Sequence, residues 1–455
     1  MKKITRYSVA KAGIFFTASV FLPMNGTAAA LRNSANSSGI SATFGDIDRR
    51  NDFFNEFGGN GRTCLSCHRP GEGWSITPQG MRKRFDRSDG TDPAFRPNDG
   101  SNSPDADVST VDARRLAYSA LLNKGLIRIG LPIPASAEFT LTEADDPYGF
   151  VSKDAANPDL SLFRRPLPAA NLKFASSVMW DGRESPPTFS IREGLGNQAN
   201  SANTQHAQGA ELTAAQRQSI VDFELSLFAS QISVRDSDVS IPLGKAASPK
   251  ILAEQRFSLG INPPFLAGRA NSAFDNQVFK LFDRWSGRPD RSGSDRRAAI
   301  ARGQQIFNTR TFVIKGVAGL NDSALFGKPE QLTGTCGTCH NTPNVGNSSS
   351  ALFMNTGVSD ADRRTGDLPL YTLTNKTTGE SIQTTDPGRA MVTGLWKDIG
   401  CFKVPALRGL AARPPYFHNG SRSEIPDVVD FYETRFGLGL NNRERLDLIS
   451  FLRAL

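Results

Sequence analysis

Cys64-Leu65-Ser66-Cys67-His68 and Cys336-Gly337-Thr338-Cys339-His340 are two copies of one five-residue pattern, and their reading decides the fold. Two thiols one helical turn apart can add to the two vinyl groups of a haem, and the imidazole that follows then lies under the ring plane to ligate iron. The pattern therefore predicts two covalently bound haem c groups, held by Cys64, Cys67, Cys336 and Cys339, with His68 and His340 as metal ligands. Two Cys-x-x-Cys pairs also suit a zinc site, and nearby cysteines in an exported chain also suit local disulfides; on the residues alone these uses stay open. The fifth cysteine, Cys401, has no partner in the pattern and reads as a buried thiol.

The 455 residues leave room for two or three domains of about 100 to 200 residues each. Hydrophobic residues make up 38% and include 30 Phe, enough for a packed core; 41 Gly and 27 Pro predict many turns and long loops. The formal charge is +8, but Lys2, Lys3, Arg6 and Lys11 fall in the first 30 residues, where there is no acid, so +4 remains. That balance argues against a nucleic-acid partner. The same 30 residues combine a basic end, an apolar run over 12–24 and the small residues Thr27, Ala28, Ala29 and Ala30, the pattern of an export signal. An uncleaved amphipathic anchor is the alternative. No later window holds about 18 uninterrupted apolar residues, so no stable membrane insertion and a periplasmic location are expected.

Helix-like stretches precede both motifs, at 47–57 and 296–308, the second with Ala299, Ile300, Gly303, Ile306 and Phe307 near helical spacing. Leu448, Phe451, Leu452 and Leu455 predict a terminal helix over 442–455, and Thr213-x-x-Gln216 announces a capped helix carrying Ile220, Phe223, Leu227 and Phe228. The stretch from His68 to Trp180, especially 88–107, lacks such periodicity and reads as elaborated loops, as does a second insert over 342–385. A short helix is expected around 276–285. The expected fold is mainly α: two cytochrome c-like haem domains with long loop insertions. They span 31–245, with an insertion at 69–160, and 296–455, joined by 246–295, after a signal peptide at 1–30.

Only four histidines occur, and the motifs use two. None lies between His68 and Trp180, so unless a Met such as Met81 serves, the first iron has no sixth ligand from its own loop and is expected to be open to peroxide. His206 suits the proton transfer that O–O cleavage needs; a surface or capping role and a role as sixth ligand stay open.

Four further stretches carry a resemblance. Met179-Trp180-Asp181-Gly182-Arg183, Asp386-Pro387-Gly388-Arg389, Phe402-Lys403-Val404-Pro405-Ala406-Leu407-Arg408 and Pro415-Tyr416-Phe417-His418-Asn419-Gly420 stand in order around the two motifs. Together they resemble the bacterial dihaem cytochrome c peroxidase and MauG superfamily, over 45–68, 162–232 and 296–455. The resemblance implies a peroxide-reacting haem in the first domain, an electron-transferring haem in the second, and a Trp between them. Trp180 falls on that position, with a core tryptophan as the plain alternative. His418 falls near the second haem, bonding a propionate or ordering water, and Arg389 and Arg408 fall where guanidinium forks meet propionates, if they are not ordinary ion pairs.

Fourteen residues after the histidine of the Tyr-Phe-His motif, peroxidase members carry Met, whereas MauG-like members carry Tyr; here the position is Tyr432. A tyrosinate ligand lowers the iron potential, while a thioether raises it. A core tyrosine is the alternative. The family's distal acid is a Glu; matching Gln198-Ala199 brings His206 and Gln208 to that slot, with Glu211 as a spare. The family's interdomain calcium lacks its expected Asn, whose place falls near Arg165, so calcium is doubtful. The resemblance implies a periplasmic enzyme reducing hydrogen peroxide with electrons from a small redox protein, a cytochrome or cupredoxin, or from an aromatic residue of a partner protein. The alternatives are a MauG-like enzyme that matures a protein substrate by oxidising its Trp or Tyr, and a non-catalytic dihaem electron carrier.

Overall fold

The computed structural model describes residues 40–45, 47–150, 159–185, 190–236, 239–264, 274–287 and 296–455. The expected export signal, 1–30, and parts of the connecting segment lie outside them. Among the described residues no helix is long and apolar enough to cross a membrane.

The core beside the second motif forms as its periodicity predicts. Asn441 accepts the Glu444 amide and Glu444 accepts the Asn441 amide, both at 3.0 Å, a reciprocal cap that starts the helix Asn442–Arg453. Its buried Leu448, Phe451 and Leu452 face the helix Arg296–Thr309. The two backbones approach closely because Gly303 has no side chain: a Cβ there would lie 2.0 Å from the Asp447 carbonyl oxygen. Arg302 holds the Asp447 carboxylate at 2.6 and 2.9 Å, and Phe279, Phe282, Phe307 and Phe451 fill the core beside Cys336. Each such buried ring contributes about 1.5–3 kcal/mol.

Beside the first motif, the helix expected over 47–57 is a single 3-10 turn, Asp52–Phe54. Asn51 caps the Phe53 amide at 2.9 Å and donates to Ser219 at 3.1 Å, so its short polar side chain competes with a helical backbone. Gly58 then runs against the chain at Ala207, where a Cβ would lie 1.8 Å from the carbonyl oxygen. The capped helix is present as Ala214–Ser226, with Gln216 accepting the Thr213 amide at 2.8 Å. Leu227 and Phe228 leave it: Leu227 caps its end and Phe228 opens the strand Phe228–Asp236.

The stretches read as loops differ most from expectation. The first contains the helices Pro78–Ser88, Val111–Ala117 and Ser119–Lys124 and the strands Ile127–Pro132 and Phe139–Asp145. Helix Pro78–Ser88 buries only Met81 and Phe85, one pair four residues apart, which is too little periodicity to read. In the second insert, Leu370–Asn375 alternates half-buried and buried residues and pairs with Phe139–Asp145 on one side and Ser381–Thr384 on the other. The two inserts thus share one sheet, with a core of Phe139, Leu160, Leu162, Tyr371 and Leu373. The mainly α expectation therefore holds only in part, because five small sheets accompany the helices among the described residues. The short helix expected over 276–285 is one turn, Asp283–Trp285.

Arg164, fully buried at the end of the strand Asp159–Arg164, links two of the quoted stretches. It forks onto Asp386 at 2.7 and 2.8 Å and reaches Asp181 at 2.5 Å. Burial pushes the Asp181 carboxyl up, but Arg164 and Arg183 outweigh that and hold it at about 2.

Candidate functional site

The two motifs fold as local copies of each other. Ser66 accepts the Thr63 amide at 3.1 Å, and Thr338 accepts the Thr335 amide at 3.0 Å. The His68 and His340 amides bond the carbonyls of Cys64 and Cys336 at 2.9 and 3.0 Å, closing the turn that sets the cysteines side by side. Six residues beyond each histidine the chain turns left-handed, at Trp74 (φ 59°) and Gly346 (φ 77°). The carbonyls of those residues accept the imidazole Nδ1–H at 3.0 and 2.6 Å. This fixes the tautomer and leaves Nε2 for a metal. Burial lowers both imidazoles, His340 to about 4, so the neutral, ligating form is the resting one. Burial likewise pushes Cys64, Cys336 and Cys339 up to about 12.

Each motif lines a cavity, of about 220 Å³ at the first and about 200 Å³ at the second. Arg165, Leu167, Pro168, Trp180, Lys403 and Pro405 line both cavities and so form a common wall. Trp180 donates from Nε1 to the Arg165 carbonyl at 2.8 Å and meets the His418 ring edge-on at 6.2 Å.

The common wall is cationic in a way the sequence did not reveal. Arg165 donates to the carbonyls of Lys124, Ile76 and Arg413 at 2.8, 2.7 and 3.2 Å, and Lys403 to that of Ser177 at 2.6 Å. Arg413, in the second cavity, donates to the Ala406 carbonyl at 2.5 Å. Burial lowers Arg165 to about 9, Lys403 to about 8 and Arg413 to about 10. Among the described residues, no carboxylate lies within ion-pair distance of any of the three. Lys403 lay inside a quoted stretch; Arg413 carried no signal.

Beyond the common wall the cavities differ. In the first, His206 lies on a one-turn π-helix, Ala202–His206, that extends the helix Ile191–Ser201. Its Nδ1 meets the Asp99 carboxylate, which Arg62 also holds at 2.5 Å. Burial raises the Asp99 carboxyl, but His206 and Arg62 outweigh it and keep it below the usual range. Asp99 lies in a stretch without periodicity, and nothing in the sequence marked it. Glu224, four residues from Ile220 on the packed face of its helix, also lines this cavity; burial pushes it up to about 8, and its Oε2 has no hydrogen-bond partner. A carboxylate at an apolar-face position was its readable signal.

In the second cavity, Tyr432 stands on the helix Ile425–Phe436, in parallel with the Phe436 ring at 6.1 Å and near Phe417 at 6.2 Å. Burial raises its hydroxyl well above the usual phenol range. His418 lines the same cavity, stacked on Phe402 at 3.8 Å; burial lowers it to about 4, and its buried Nε2 has no hydrogen-bond partner.

The other sequence candidates lie elsewhere. Gln208 and Glu211 are exposed and line neither cavity. Arg389 also lines neither: it donates to the Asp181 carbonyl at 2.7 Å and lies 4.5 Å over the Phe353 ring. Arg408 is buried outside both linings and donates to the Ala247 carbonyl at 2.5 Å, while its Nε and Nη1 have no partner. Cys401 is buried. Among the described residues no group of three or more His, Cys, Asp or Glu side chains is set to hold a metal ion.

No protein-family model matches the chain. It is 31% identical over 140 residues to the cytochrome-c peroxidase IdrP1 of Pseudomonas sp. (strain SCT), covering 26% of this chain and 36% of that protein. It is 33% identical over 135 residues to the cytochrome-c peroxidase IdrP2 of Denitromonas iodatirespirans, covering 27% and 36%. The chain thus spans about a third of the length of the curated relatives it matches. A solved structure, of a MauG-like protein associated with microbial copper homeostasis, is 16% identical with a TM-score of 0.33 over 65% of this chain and 74% of that one, a likeness too distant to inform this fold. Over the stretch matched to those curated relatives, the chain is similar to bacterial cytochrome-c peroxidases.

Proposed function

We propose that the chain is a periplasmic dihaem c-type peroxidase that reduces hydrogen peroxide, with 31–245 and 296–455 as its two cytochrome c-like domains. The observation that carries this reading is the pair of matching Cys-x-x-Cys-His cavities joined through Trp180: among the described residues the first has an imidazole hydrogen-bonded to a carboxylate of its own lining, His206 to Asp99, whereas in the second the His418 Nε2 makes no hydrogen bond and stands 3.9 Å from Asp386, outside the lining.

The residues present fit the group. Each cavity offers two thiols one turn apart and an imidazole whose Nε2 is free; the common wall offers Arg165 and Lys403 to propionates and the second cavity adds Arg413, and buried nitrogens of Arg413 and His418 make no hydrogen bond. Bound haem supplies iron centres for reducing peroxide and for passing electrons between the cavities. Cys64 and Cys67 would hold one haem and Cys336 and Cys339 the other, with His68 and His340 as iron ligands. His206, its Nδ1 committed to Asp99, offers Nε2 to take a proton from one peroxide oxygen and return it to the oxygen that leaves as water. Trp180 fills the wall between the cavities with a polarisable ring in place of water.

Electrons come from a small redox protein in this reading. Tyr432 in the second cavity favours a second one, in which they come from an aromatic side chain of a partner protein, because an anionic oxygen ligand favours the more oxidised iron. Peroxide titration of the purified protein, followed by absorption and EPR, tests both. One high-spin ferric signal that peroxide removes is expected; two low-spin signals unchanged by peroxide would leave only an electron carrier.

A further inference from the structure

We propose that Trp285, with Arg284 and Arg297 over its ring, is the docking port through which a small acidic one-electron redox protein delivers electrons to the group held at His340. The inference rests on the peroxidase reading and adds the partner's chemistry and its point of contact.

A run of packed rings leads from the half-buried Trp285 to the second motif. Trp285 stacks on Phe282 at 4.9 Å and 14°; Phe282 meets Phe451 at 6.2 Å, Phe451 meets Phe307 at 5.6 Å, and Phe307 meets the His340 ring at 6.3 Å. Close-packed side chains leave no water gap along this line. Beside His68, Phe53, Trp74 and Phe223 are buried and the half-buried Phe54 meets Phe53 at 5.4 Å, but among the described residues no guanidinium lies over the Phe54 ring, so the contrast is in the cations.

Two guanidinium groups cover the indole, Arg284 at 5.5 Å and Arg297 at 5.8 Å, and Arg284 is steadied by the Leu243 carbonyl at 3.2 Å. Asp283, next to Arg284, accepts from Gln304 at 2.6 Å. Cations against the ring oppose a positive charge on it, so the indole is a contact and conduit rather than a resting place for an electron hole. The same cations select a partner of opposite charge and speed its encounter. Each docked donor loses one electron and the group at His340 gains it; two such transfers, with two protons, turn one hydrogen peroxide into two waters.

The test uses the haem-loaded full chain and one probe in two charge forms: a small soluble cytochrome c, native and basic, or with its lysines succinylated and acidic. Binding is measured across ionic strength. The acidic form is expected to bind the wild type, more weakly as salt rises, and R284E/R297E to weaken it about tenfold or more, while K376E, an exposed reversal elsewhere, changes it less than about twofold. Equal binding of the acidic probe by R284E/R297E and wild type would overturn the port. W285F is expected to slow electron transfer from the bound, reduced probe several-fold, read at saturating probe; an unchanged rate would overturn the conduit. If the acidic probe binds as expected but peroxide fails to oxidise it or any other donor, the port stands and the peroxidase reading falls.

Discussion

Around His68 the cavity wall carries His206, Asp99, Arg62 and Glu224; around His340 it carries Tyr432, Phe436 and Phe417, with no Asp or Glu among its described lining residues. The motif turns are nevertheless the same down to the left-handed carbonyl six residues on. Attachment chemistry constrains the turn and repeats it, while the reaction at each metal is set by what the rest of the wall supplies. The comparison breaks most visibly at His206. His206→Ala is expected to slow the reaction with peroxide by about 10²- to 10⁴-fold with haem content unchanged, the usual span for a lost acid–base group. Stopped-flow absorption checks it, and a wild-type rate would move the peroxide chemistry away from this residue.

Asp99→Asn sharpens the same contrast with a smaller effect. The imidazole keeps a neighbour but loses the carboxylate that fixes its orientation, so the rate should fall by about 10- to 100-fold, as for other partners that orient a functional imidazole. Asp99→Glu should recover part of it; equal losses in both variants would point to a folding defect around Arg62. In the second cavity, Tyr432→Phe should raise the potential of the group at His340 by about 60 mV or more, a tenfold change for one electron, and alter its absorption bands. Redox titration beside the unchanged first centre reads both, and an identical potential would make Tyr432 a packing residue.

What was legible in the sequence was what local chemistry dictates. Cysteine spacing marked both motif turns, the apolar spacing over 448–455 and the 213–216 cap marked their helices, and the resemblance carried by four short stretches marked Trp180 and His418 and, fourteen residues on, Tyr432, all of which line the cavities. What escaped depended on contacts far apart in the chain. Asp99 gains its meaning from His206, 107 residues away, and the strand Leu370–Asn375 from Phe139–Asp145, with which it shares a sheet. Arg389 is expected from the resemblance as a propionate partner, because a guanidinium fork suits a carboxylate; in the structure it donates to the Asp181 carbonyl and lines neither cavity, whereas Arg165, Lys403 and Arg413 are among the cations that do.

The smallest expected effect isolates Glu224, the acid that has no counterpart in the second cavity. Burial raises its carboxyl from 4.5 to about 8, so between those values the folded chain keeps a proton that the unfolded chain releases. Stability from this group therefore falls as pH rises through that window, by at most about 1.4 kcal/mol per pH unit. Burial lowers His340 and His418 to about 4, which gives the opposite slope, but only up to their ordinary 6.5. Lys403, lowered to about 8, acts above that value. The range from 6.5 to 8 thus belongs to Glu224 among these groups. Glu224→Gln keeps the shape and removes the proton, so denaturant unfolding across that range should lose its downward slope. A slope that survives the substitution would assign the proton uptake to another group and leave the two cavities alike in this respect.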